Sequence, residues 1–243
     1  MFVKRKRLKK NKFLLIIPAR GGSKGIERKN IVHLCSKPLI YYTIIIATRL
    51  LKEKIVDEAI VSTDDKEIAK ISKSYGIKVP FMRPKKFALD KSKSVDVVLH
   101  ALDYYRDLNV YFFAVILLQP TVPLRSYNDI VGAIKLFNSK SGDSLITGYY
   151  DDQLSDLVLY KKKDNFAIPL NRDHNRGIRR QDFEKVYRRN GAVYIAKVSY
   201  LRRYRNIISS RPLLYEMPED RSINIDSYDD LEKVECYIKK SEY

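Results

Sequence analysis

The sequence predicts an α/β fold, in which a mainly parallel, Rossmann-like sheet is flanked by helices. Residues 13–17 are five apolar side chains in a row, which indicates a short buried strand, and a proline, glycines and a serine follow as a loop. Further apolar strands alternate with helices of about ten to fifteen residues, as right-handed crossovers between parallel strands require. Ligands of such sheets bind at the carboxyl ends of the strands, so we expect functional residues in the loops there.

The predicted elements follow this alternation along the chain. The first helix spans 37–51, with Pro38 in the first turn, where proline is favoured. A strand at 56–63 and a helix at 64–75 that ends at Gly76 complete a second unit. The remaining predictions are a strand at 77–82, a helix at 94–106, strands at 111–118 and 143–149, a short strand at 223–225 and a closing helix that ends at 238.

Residues 150–189 are charged, irregular and poor in helical spacing, apart from a predicted strand at 157–160. This composition predicts an insertion that extends away from the central sheet. The segments on either side, 13–149 and 190–243, then form one α/β domain, for which 243 residues with 45% apolar content are ample.

Composition also bears on where the protein resides. No stretch approaches 18 consecutive apolar residues and the N-terminal region carries no apolar secretion segment, so we predict a cytoplasmic protein without membrane insertion. The two cysteines, Cys35 and Cys236, have neither metal-ligand nor disulfide spacing. Both are predicted to be small core residues in a reducing compartment.

The net charge of +18 comes partly from the first twelve residues, which hold seven basic and no acidic side chains. We predict that residues 1–12 form a solvated, disordered arm, with attachment to anionic lipid or RNA as the alternative. The other basic clusters lack the interleaved aromatic side chains of base-stacking surfaces. An anionic metabolite is therefore the favoured ligand and no nucleic acid is expected; a basic nucleic-acid-binding protein is the alternative from a different class.

The loop after the first strand has the composition of a phosphate site. Its glycines remove Cβ atoms that would keep a ligand from the backbone N–H groups. Basic residues are crowded into ten positions here: Arg20, Lys24, Arg28 and Lys29. The loop lacks both the P-loop pattern and the dinucleotide-binding glycine pattern, which argues against those two classes. A polyphosphate is the expected ligand, with a solvated basic turn as the alternative.

Three further loops carry candidate residues. At the end of the second strand, Asp64 or Asp65 could cap the next helix. After the strand at 111–118, two prolines rigidify a turn that would present Gln119 and Arg125 beside the ligand. Near the C-terminus, Ser227 and Asp230 have the spacing of a capping box for the closing helix. The preceding Asp226 has no such structural explanation.

The residues at 17–30, Ile-Pro-Ala-Arg-Gly-Gly-Ser-Lys-Gly-Ile-Glu-Arg-Lys-Asn, resemble the nucleotide-binding signature of the cytidylyltransferases that activate sialic acid and related nonulosonic acids as CMP-sugars. Three further stretches resemble signatures of that family, in the same order: 117–125, 179–195 and 221–231. The chain departs from the usual pattern at four positions, namely Glu27, Val122, Glu184 and Asn224.

The resemblance implies a nucleotidyltransferase that moves CMP from CTP to the anomeric hydroxyl of a nine-carbon 2-keto sugar acid, releasing pyrophosphate, with Mg²⁺ as cofactor. It also implies a homodimer, in which residues 150–189 form an arm that crosses to the second subunit and the active site is shared. The implied catalytic residues are Arg20, Lys24, Lys29 and Gln119. The implied nucleotide-binding residues are Ala19, Gly21, Gly22, Ser23, Asn30, Arg83 and Ser94. The implied residues for the sugar acid are Gln119, Arg180, Gln181, Arg188, Asn190 and Tyr194, and those for the metal are Asp226 and Asn224.

The identity of the sugar acid stays open at this point. Legionaminic, pseudaminic and eight-carbon ulosonic acids are alternatives within the same class. Where relatives that use sialic acid tend to place aromatic side chains, this chain has Ile207 and Ile208. Asn224 stands at the first position of the family's Asp-x-Asp metal pair, so a catalytically degenerate binding protein is a further alternative.

Overall fold

The computed structural model describes residues 11–177 and 184–241. The strands are β1 (Phe13–Pro18), β2 (His33–Leu34), β3 (Lys37–Pro38), β4 (Glu58–Ser62), β5 (Ala114–Leu117), β6 (Ser144–Tyr150), β7 (Tyr160–Lys163), β8 (Phe166–Pro169), β9 (Tyr187–Lys197) and β10 (Leu213–Glu216). The α-helices are α1 (Leu39–Lys52), α2 (Lys66–Ser74), α3 (Ser94–Asp107), α4 (Tyr127–Ser139), α5 (Val198–Tyr204) and α6 (Tyr228–Ser241).

Six strands form the central sheet, in the order β10-β6-β9-β5-β1-β4. β9 runs antiparallel to both of its neighbours, and the other pairs are parallel. Side chains of β1 alternate between the two faces of the sheet. Leu15 and Ile17 pack with α1 and α4 on one face, whereas Leu14 and Ile16 pack with α3 on the other. The predicted α/β fold with a mainly parallel sheet is therefore confirmed.

Two of the predicted strands do not form. Residues 77–82 make only two isolated bridges beside β4, at Lys78 and Met82, because Pro80 interrupts the segment and cannot donate a ladder hydrogen bond. Residues 223–225 are also not a strand. There the Ile225 N–H donates a single hydrogen bond to the carbonyl of Thr121, 2.8 Å away, which fixes the C-terminal segment beside the loop after β5.

Other elements were not assigned from the sequence, namely β2, β3, α4, β9, α5 and β10. α4 begins with a capping box in which Ser126 and Asp129 satisfy each other's backbone N–H groups, so its signal was present in the sequence. β10 is short and pairs with a strand far away in the chain, β6, which local patterns do not reveal. The capping box predicted for α6 forms as expected: the Ser227 N–H donates to Asp230 Oδ2 at 2.9 Å and the Asp230 N–H donates to Ser227 Oγ at 3.3 Å.

The inserted segment contains an antiparallel hairpin, β7–β8, where one strand at 157–160 was predicted. β6 and β9 pair as far out as Tyr150 and Tyr187, so the sheet continues into the base of the insertion. The division into 13–149, 150–189 and 190–243 stays a prediction. Most of the predicted basic arm, together with Arg180 and Gln181, lies outside the described residues.

The prediction that both cysteines are core residues is wrong. Cys35 is only partly buried, because it occupies a left-handed turn between β2 and β3, with φ of 47°. Cys236 is exposed on α6, whose buried contacts come from Leu231 and Val234. In the described part of the chain, no helix combines the length and the apolar character that crossing a membrane requires.

Candidate active site

The carboxyl ends of β1, β4 and β5 surround a cavity of about 340 Å³. Its walls include these predicted site residues: Arg20, Gly22, Ser23, Lys29, Asn30, Arg83, Ser94, Gln119, Asn224 and Asp226. Three others do not line it, since Ala19 is buried in the core, Gly21 faces α2, and the Lys24 side chain is 81% exposed. The structure thus gathers, from four distant parts of the chain, most of the residues predicted to bind the nucleotide.

Internal hydrogen bonds fix the loop after β1. Asn30 Nδ2 donates to the carbonyl of Arg20 at 2.9 Å, and the Gly21 N–H donates to Asp64 Oδ1 at 3.0 Å. A Cβ on Gly21 would lie 2.9 Å from Asp65 Oδ2, and one on Gly25 would lie 2.5 Å from the Asp226 carbonyl oxygen. These two glycines are required by close approach of other parts of the protein. Among the three glycines of this loop, only Gly22 could take a Cβ that meets nothing, which suits the ligand-facing role expected of the loop.

Arg28 does not contribute its charge to the cavity, contrary to the interpretation of the loop as four gathered cations. It has a left-handed backbone, with φ of 50°, and its guanidinium bonds both carboxylate oxygens of Asp65 at 3.0 and 3.2 Å. Asp65 in turn caps α2 by accepting the N–H groups of Glu67 and Ile68. Arg28 therefore holds the loop against the start of α2.

The other three cations of the loop are paired with carboxylates at the cavity. Lys29 Nζ lies 2.9 Å from Asp226 Oδ1, and its side chain is only 12% exposed. Arg20 and Lys24 share a single carboxylate, that of Asp90, at 2.9 and 3.2 Å. The hydrogen bond from Lys24 and the charges of both cations lower the pKa of Asp90, so this carboxylate is ionised at neutral pH. The sequence analysis missed Asp90, which lies 70 positions from Arg20.

Arg83 supplies a third positive charge on the cavity wall, beside Arg20 and Lys29. It is buried and donates from Nε to Ser62 Oγ at 3.1 Å and from its terminal nitrogen to the Ser62 carbonyl. Burial, with a smaller contribution from Arg20, lowers the pKa of Arg83 to about 10, so it is still protonated at neutral pH. Its position is therefore fixed before any anion binds.

Arg125 is not presented beside the ligand, as the sequence analysis expected, but is buried. Its guanidinium donates to the carbonyls of Gln119 and Ala192, at 2.6 and 3.3 Å, and to the hydroxyl of Thr43. Burial lowers the pKa of Arg125 to about 9. The Gln119 carbonyl lies in the turn with two prolines, outside any strand or helix, and Arg125 donates to it. Arg125 is thus a positioning residue for Gln119.

Replacing Arg125 with methionine is expected to lower the free energy of unfolding by about 2–4 kcal/mol, because buried carbonyls lose their donor. Urea unfolding followed by circular dichroism measures this. Arg211→Met, at an exposed position, is the matched control and should change stability by less than about 0.5 kcal/mol. Equal stability of the two variants would contradict the positioning role.

A second cavity, of about 920 Å³, adjoins the first and shares Gln119 and Asn224 with it. It is lined by the predicted sugar-acid residues Arg188, Asn190 and Tyr194. The amide of Asn190 is engaged internally, accepting from Thr147 Oγ1 at 2.7 Å and donating to Ser222 Oγ at 2.8 Å. Asn190 therefore shapes the cavity wall.

A third cavity, of about 540 Å³, also borders Gln119. Ile207 and Ile208 form part of its wall, as do Ser94 and Tyr194. Gln119 lines all three cavities, so they meet at this side chain.

The predicted metal residues lie at the boundary between the first two cavities. Asn224 Nδ2 donates to Asp226 Oδ2, and Lys29 bonds the other oxygen of the same carboxylate. The described residues contain no group of three or more His, Cys, Asp or Glu side chains that could hold a metal. A cation here would have to share its coordination between Asp226 and oxygens supplied by a substrate.

The fold and the cation-lined cavity at the strand ends define a nucleotide-binding α/β protein of the nucleotidyltransferase class. The family model described as Cytidylyltransferase matches residues 14–235, and the chain belongs to this family. The resemblance stated from the sequence motifs is thereby confirmed.

Individual relatives agree with this membership. An N-acylneuraminate cytidylyltransferase of Escherichia coli O18:K1:H7 is 31% identical over 224 residues, which cover 92% of this chain and 51% of that protein, so the chain spans about half its length. A pseudaminic acid cytidylyltransferase of Campylobacter jejuni is 32% identical over 228 residues, which cover 94% of this chain and 97% of that protein. The solved structure of CMP:2-keto-3-deoxy-manno-octonic acid synthetase complexed with CTP superposes with a TM-score of 0.69 at 17% identity, over 95% of this chain and all of that one. This last likeness concerns the fold alone.

Proposed function

We propose that the protein transfers CMP from CTP to the anomeric hydroxyl of a nonulosonic acid and releases pyrophosphate. The observation that carries this proposal is the meeting of two cavities at Gln119, one lined by the cations Arg20, Lys29 and Arg83 and the other by the predicted sugar-acid residues. A triphosphate fits the first cavity by charge, and a polar sugar fits the second by size and polarity.

The tertiary anomeric hydroxyl is a poor nucleophile, so its attack on the α-phosphate depends on in-line positioning and on cations that receive the charge developing on pyrophosphate. We assign Arg20, Lys24 and Lys29 to the triphosphate. Arg83 and Ser94 face the rest of the nucleotide, together with the backbone of the loop after β1. Asn30, whose amide is bonded to Arg20, acts by holding that loop.

The sugar acid is assigned to the second and third cavities. Gln119 and Tyr194 face it directly, while Asn190 shapes the wall. Arg188 lines the second cavity but is held by Asp151 at 2.8 Å, so it acts as a fixed charge at the rim. Arg180 and Gln181 stay predicted sugar-acid residues, since they lie outside the described chain.

The residues at 224–226 fit a magnesium ion that is bound mainly through CTP. Mg²⁺ is commonly held by one or two carboxylates together with substrate phosphates. Asp226 offers a carboxylate that is 72% exposed, and Asn224, whose amide nitrogen bonds Asp226, retains its amide oxygen as a ligand. When bound, Mg²⁺ would neutralise phosphate charge at the reacting centre.

We infer that the protein accepts more than one nonulosonic acid. Ile207 and Ile208 give the third cavity an aliphatic wall, and an apolar wall discriminates by only ~1–3 kcal/mol per methylene-sized change. The relatives named for sialic and for pseudaminic acid are 31% and 32% identical to this chain, a difference too small to favour either sugar. Di-N-acetylated 9-deoxy acids, including legionaminic acid, are rivals to sialic acid. A preference above about a thousandfold for sialic acid alone would contradict broad acceptance.

Pyrophosphate release from CTP and Mg²⁺ with a panel of ulosonic acids, one at a time, tests the function. We expect release that requires both CTP and a nonulosonic acid. If no acid in the panel supports release, while the protein binds RNA or DNA with a steep salt dependence, the nucleic-acid-binding alternative replaces this function. A cytoplasmic location stays a prediction.

Asp90→Asn is expected to lower the KM for CTP by about two- to fivefold, because the triphosphate no longer competes with an ionised carboxylate for Arg20 and Lys24. Initial rates at varied CTP concentration measure this effect. The difference between the variant and the wild type should shrink at high salt, which screens exposed charges. A raised KM would instead mean that Asp90 holds the two cations in the orientation that CTP needs.

We also propose that the protein is a homodimer in which the β7–β8 hairpin contacts the second subunit. Phe166 and Ile168 lie on one face of β8 and are 72% and 45% exposed, which is unusual for large apolar side chains on an isolated hairpin. A second copy is the partner that the family resemblance implies.

Changing Phe166 and Ile168 together to glutamate is expected to convert a dimer into a monomer, measured by light scattering at micromolar concentration. Ala167→Glu, exposed on the other face of the same strand, is the control and should leave the mass unchanged. If the site is shared, mixing an Arg180→Ala variant with an Arg20→Ala variant should restore some activity. A monomeric wild-type protein would exclude the shared site.

A further inference from the structure

Two neighbouring arginines on β9 differ in their surroundings. Arg188 is bound to Asp151, with 2.9 Å from its Nε and 2.8 Å from a terminal nitrogen to Asp151 Oδ2. Arg189 is exposed and has no carboxylate at ion-pair distance in the part of the chain that the structure describes. It lines both of the cavities assigned to the sugar acid. Of these two arginines, Arg189 is therefore the one that lines both cavities and has no acidic partner among the described residues.

Arg189 shares the lining of both cavities with Tyr194 and Gln119. The guanidinium carbon of Arg189 lies 6.0 Å from the ring centre of Tyr194, at the outer limit of a cation–π contact. Burial raises the pKa of Tyr194, so its phenol is neutral and bears no charge that would pair with the arginine. Gly191, two residues along β9, has φ of 76°, and a Cβ there would lie 3.2 Å from Gln119 Oε1. The side chain of Gln119 thus lies against the same short stretch of β9.

The chemistry of the proposed reaction places a second anion at this point. The carboxylate of a 2-keto sugar acid is bonded to the anomeric carbon, so it lies beside the hydroxyl that attacks the α-phosphate. Two anions brought this close repel each other unless a separate cation holds the second one. Three described arginines line the two cavities assigned to the sugar acid. Arg188 is paired with Asp151 and Arg205 with Asp96, which leaves the guanidinium of Arg189 for this second anion.

We propose that Arg189 binds the carboxylate of the sugar acid, from the same subunit that binds CTP, and so selects 2-keto acids over neutral sugars. This inference rests on the proposed function. A guanidinium suits the role because its planar donors match the two oxygens of a carboxylate. Arg189 then completes a site in which Gln119 faces the attacking hydroxyl and Tyr194 supports the arginine.

The test compares a nonulosonic acid with its carboxamide as acceptors for the wild type, Arg189→Ala, Arg189→Gln and Arg189→Lys. For Arg189→Ala we expect the KM for the acid to rise about 10- to 100-fold, the size of one charge-assisted hydrogen-bonded pair, while the KM for CTP stays unchanged. The ratio of activity with the acid to activity with the amide, which we expect to be high in the wild type, should fall toward one in Arg189→Ala. Arg189→Lys, which keeps the charge, should retain part of the preference. Arg211→Ala, an exposed arginine away from the three cavities, is the control.

The outcomes separate this inference from the function on which it rests. If the wild type transfers CMP to no acid, the proposed function fails. If the wild type is active and Arg189→Ala keeps the same preference for acid over amide, or raises only the KM for CTP, the role of Arg189 is overturned. Thermal melting shows which variants are folded. If Arg189→Ala is unfolded, Arg189→Gln takes its place in the comparison. A collapsed preference in either variant supports the role.

Discussion

Replacing Lys29 with alanine is expected to lower kcat/KM for CMP transfer by about 10²–10³-fold, corresponding to roughly 2–4 kcal/mol for one preorganised charge donor at a reacting centre. Lys29 is the least exposed of the three cations paired at the cavity, and its ammonium touches both Asp226 and the carbonyl of Ile225. It therefore joins the phosphate loop to the segment that is proposed to hold magnesium. Its position is fixed by these contacts before substrate arrives.

Steady-state rates at varied CTP and saturating sugar acid measure this effect. Lys70→Ala, an exposed lysine on α2, is the matched control for loss of a positive charge. Arg20→Ala should show a loss of similar size. If both Lys29→Ala and Arg20→Ala keep near-wild-type turnover at saturating CTP, the proposal that this loop binds the triphosphate is wrong.

Replacing Asp226 with alanine is expected to abolish measurable turnover and to leave the fold intact, since its side chain is largely exposed. Activity would be lost because Asp226 is the only carboxylate of the 224–226 segment. The neutral amide of Asn224 cannot supply the missing negative charge to the metal. For the same reason the wild type should need a high magnesium concentration for half-maximal rate, about millimolar. Asn224→Asp should lower that requirement.

Rates measured across a magnesium titration, with circular dichroism to confirm folding, check this expectation. Asp229→Ala, an exposed carboxylate on α6, serves as the control. If Asp226→Ala keeps most of the activity, the metal assignment is wrong. The role of the Asp226 carboxylate is then only structural, as the ion-pair partner of Lys29.

The sequence predicted the location of the site because a parallel sheet brings the loops at its strand ends together. It did not predict which loop cations face the cavity. Arg28 and Lys29 are neighbours of the same charge sign, yet one pairs with Asp65, 37 positions away, and the other with Asp226, 197 positions away. These choices depend on long-range packing, which local composition does not encode. Asp90 was missed for the same reason.

Arg125 and Asn190 illustrate a second limit of the sequence patterns. Both stand in motifs shared with a nucleotide-using family, which suggested contact with ligand, but both are buried and bonded to the protein itself. A motif records that a residue type is needed, without telling whether it touches a ligand or supports a residue that does. By contrast, the capping box at Ser126 was a local signal that the sequence analysis left unused, so α4 could have been predicted.

Phosphorus NMR of a reaction with CTP, Mg²⁺ and one nonulosonic acid tests the central claim most directly, because it identifies both products at once. We expect a phosphodiester resonance of a CMP-sugar to grow in step with pyrophosphate, one for one, and both to stay absent when the acid is omitted. Pyrophosphate accompanied only by free CMP, or no change in CTP with any acid of the panel, would contradict it.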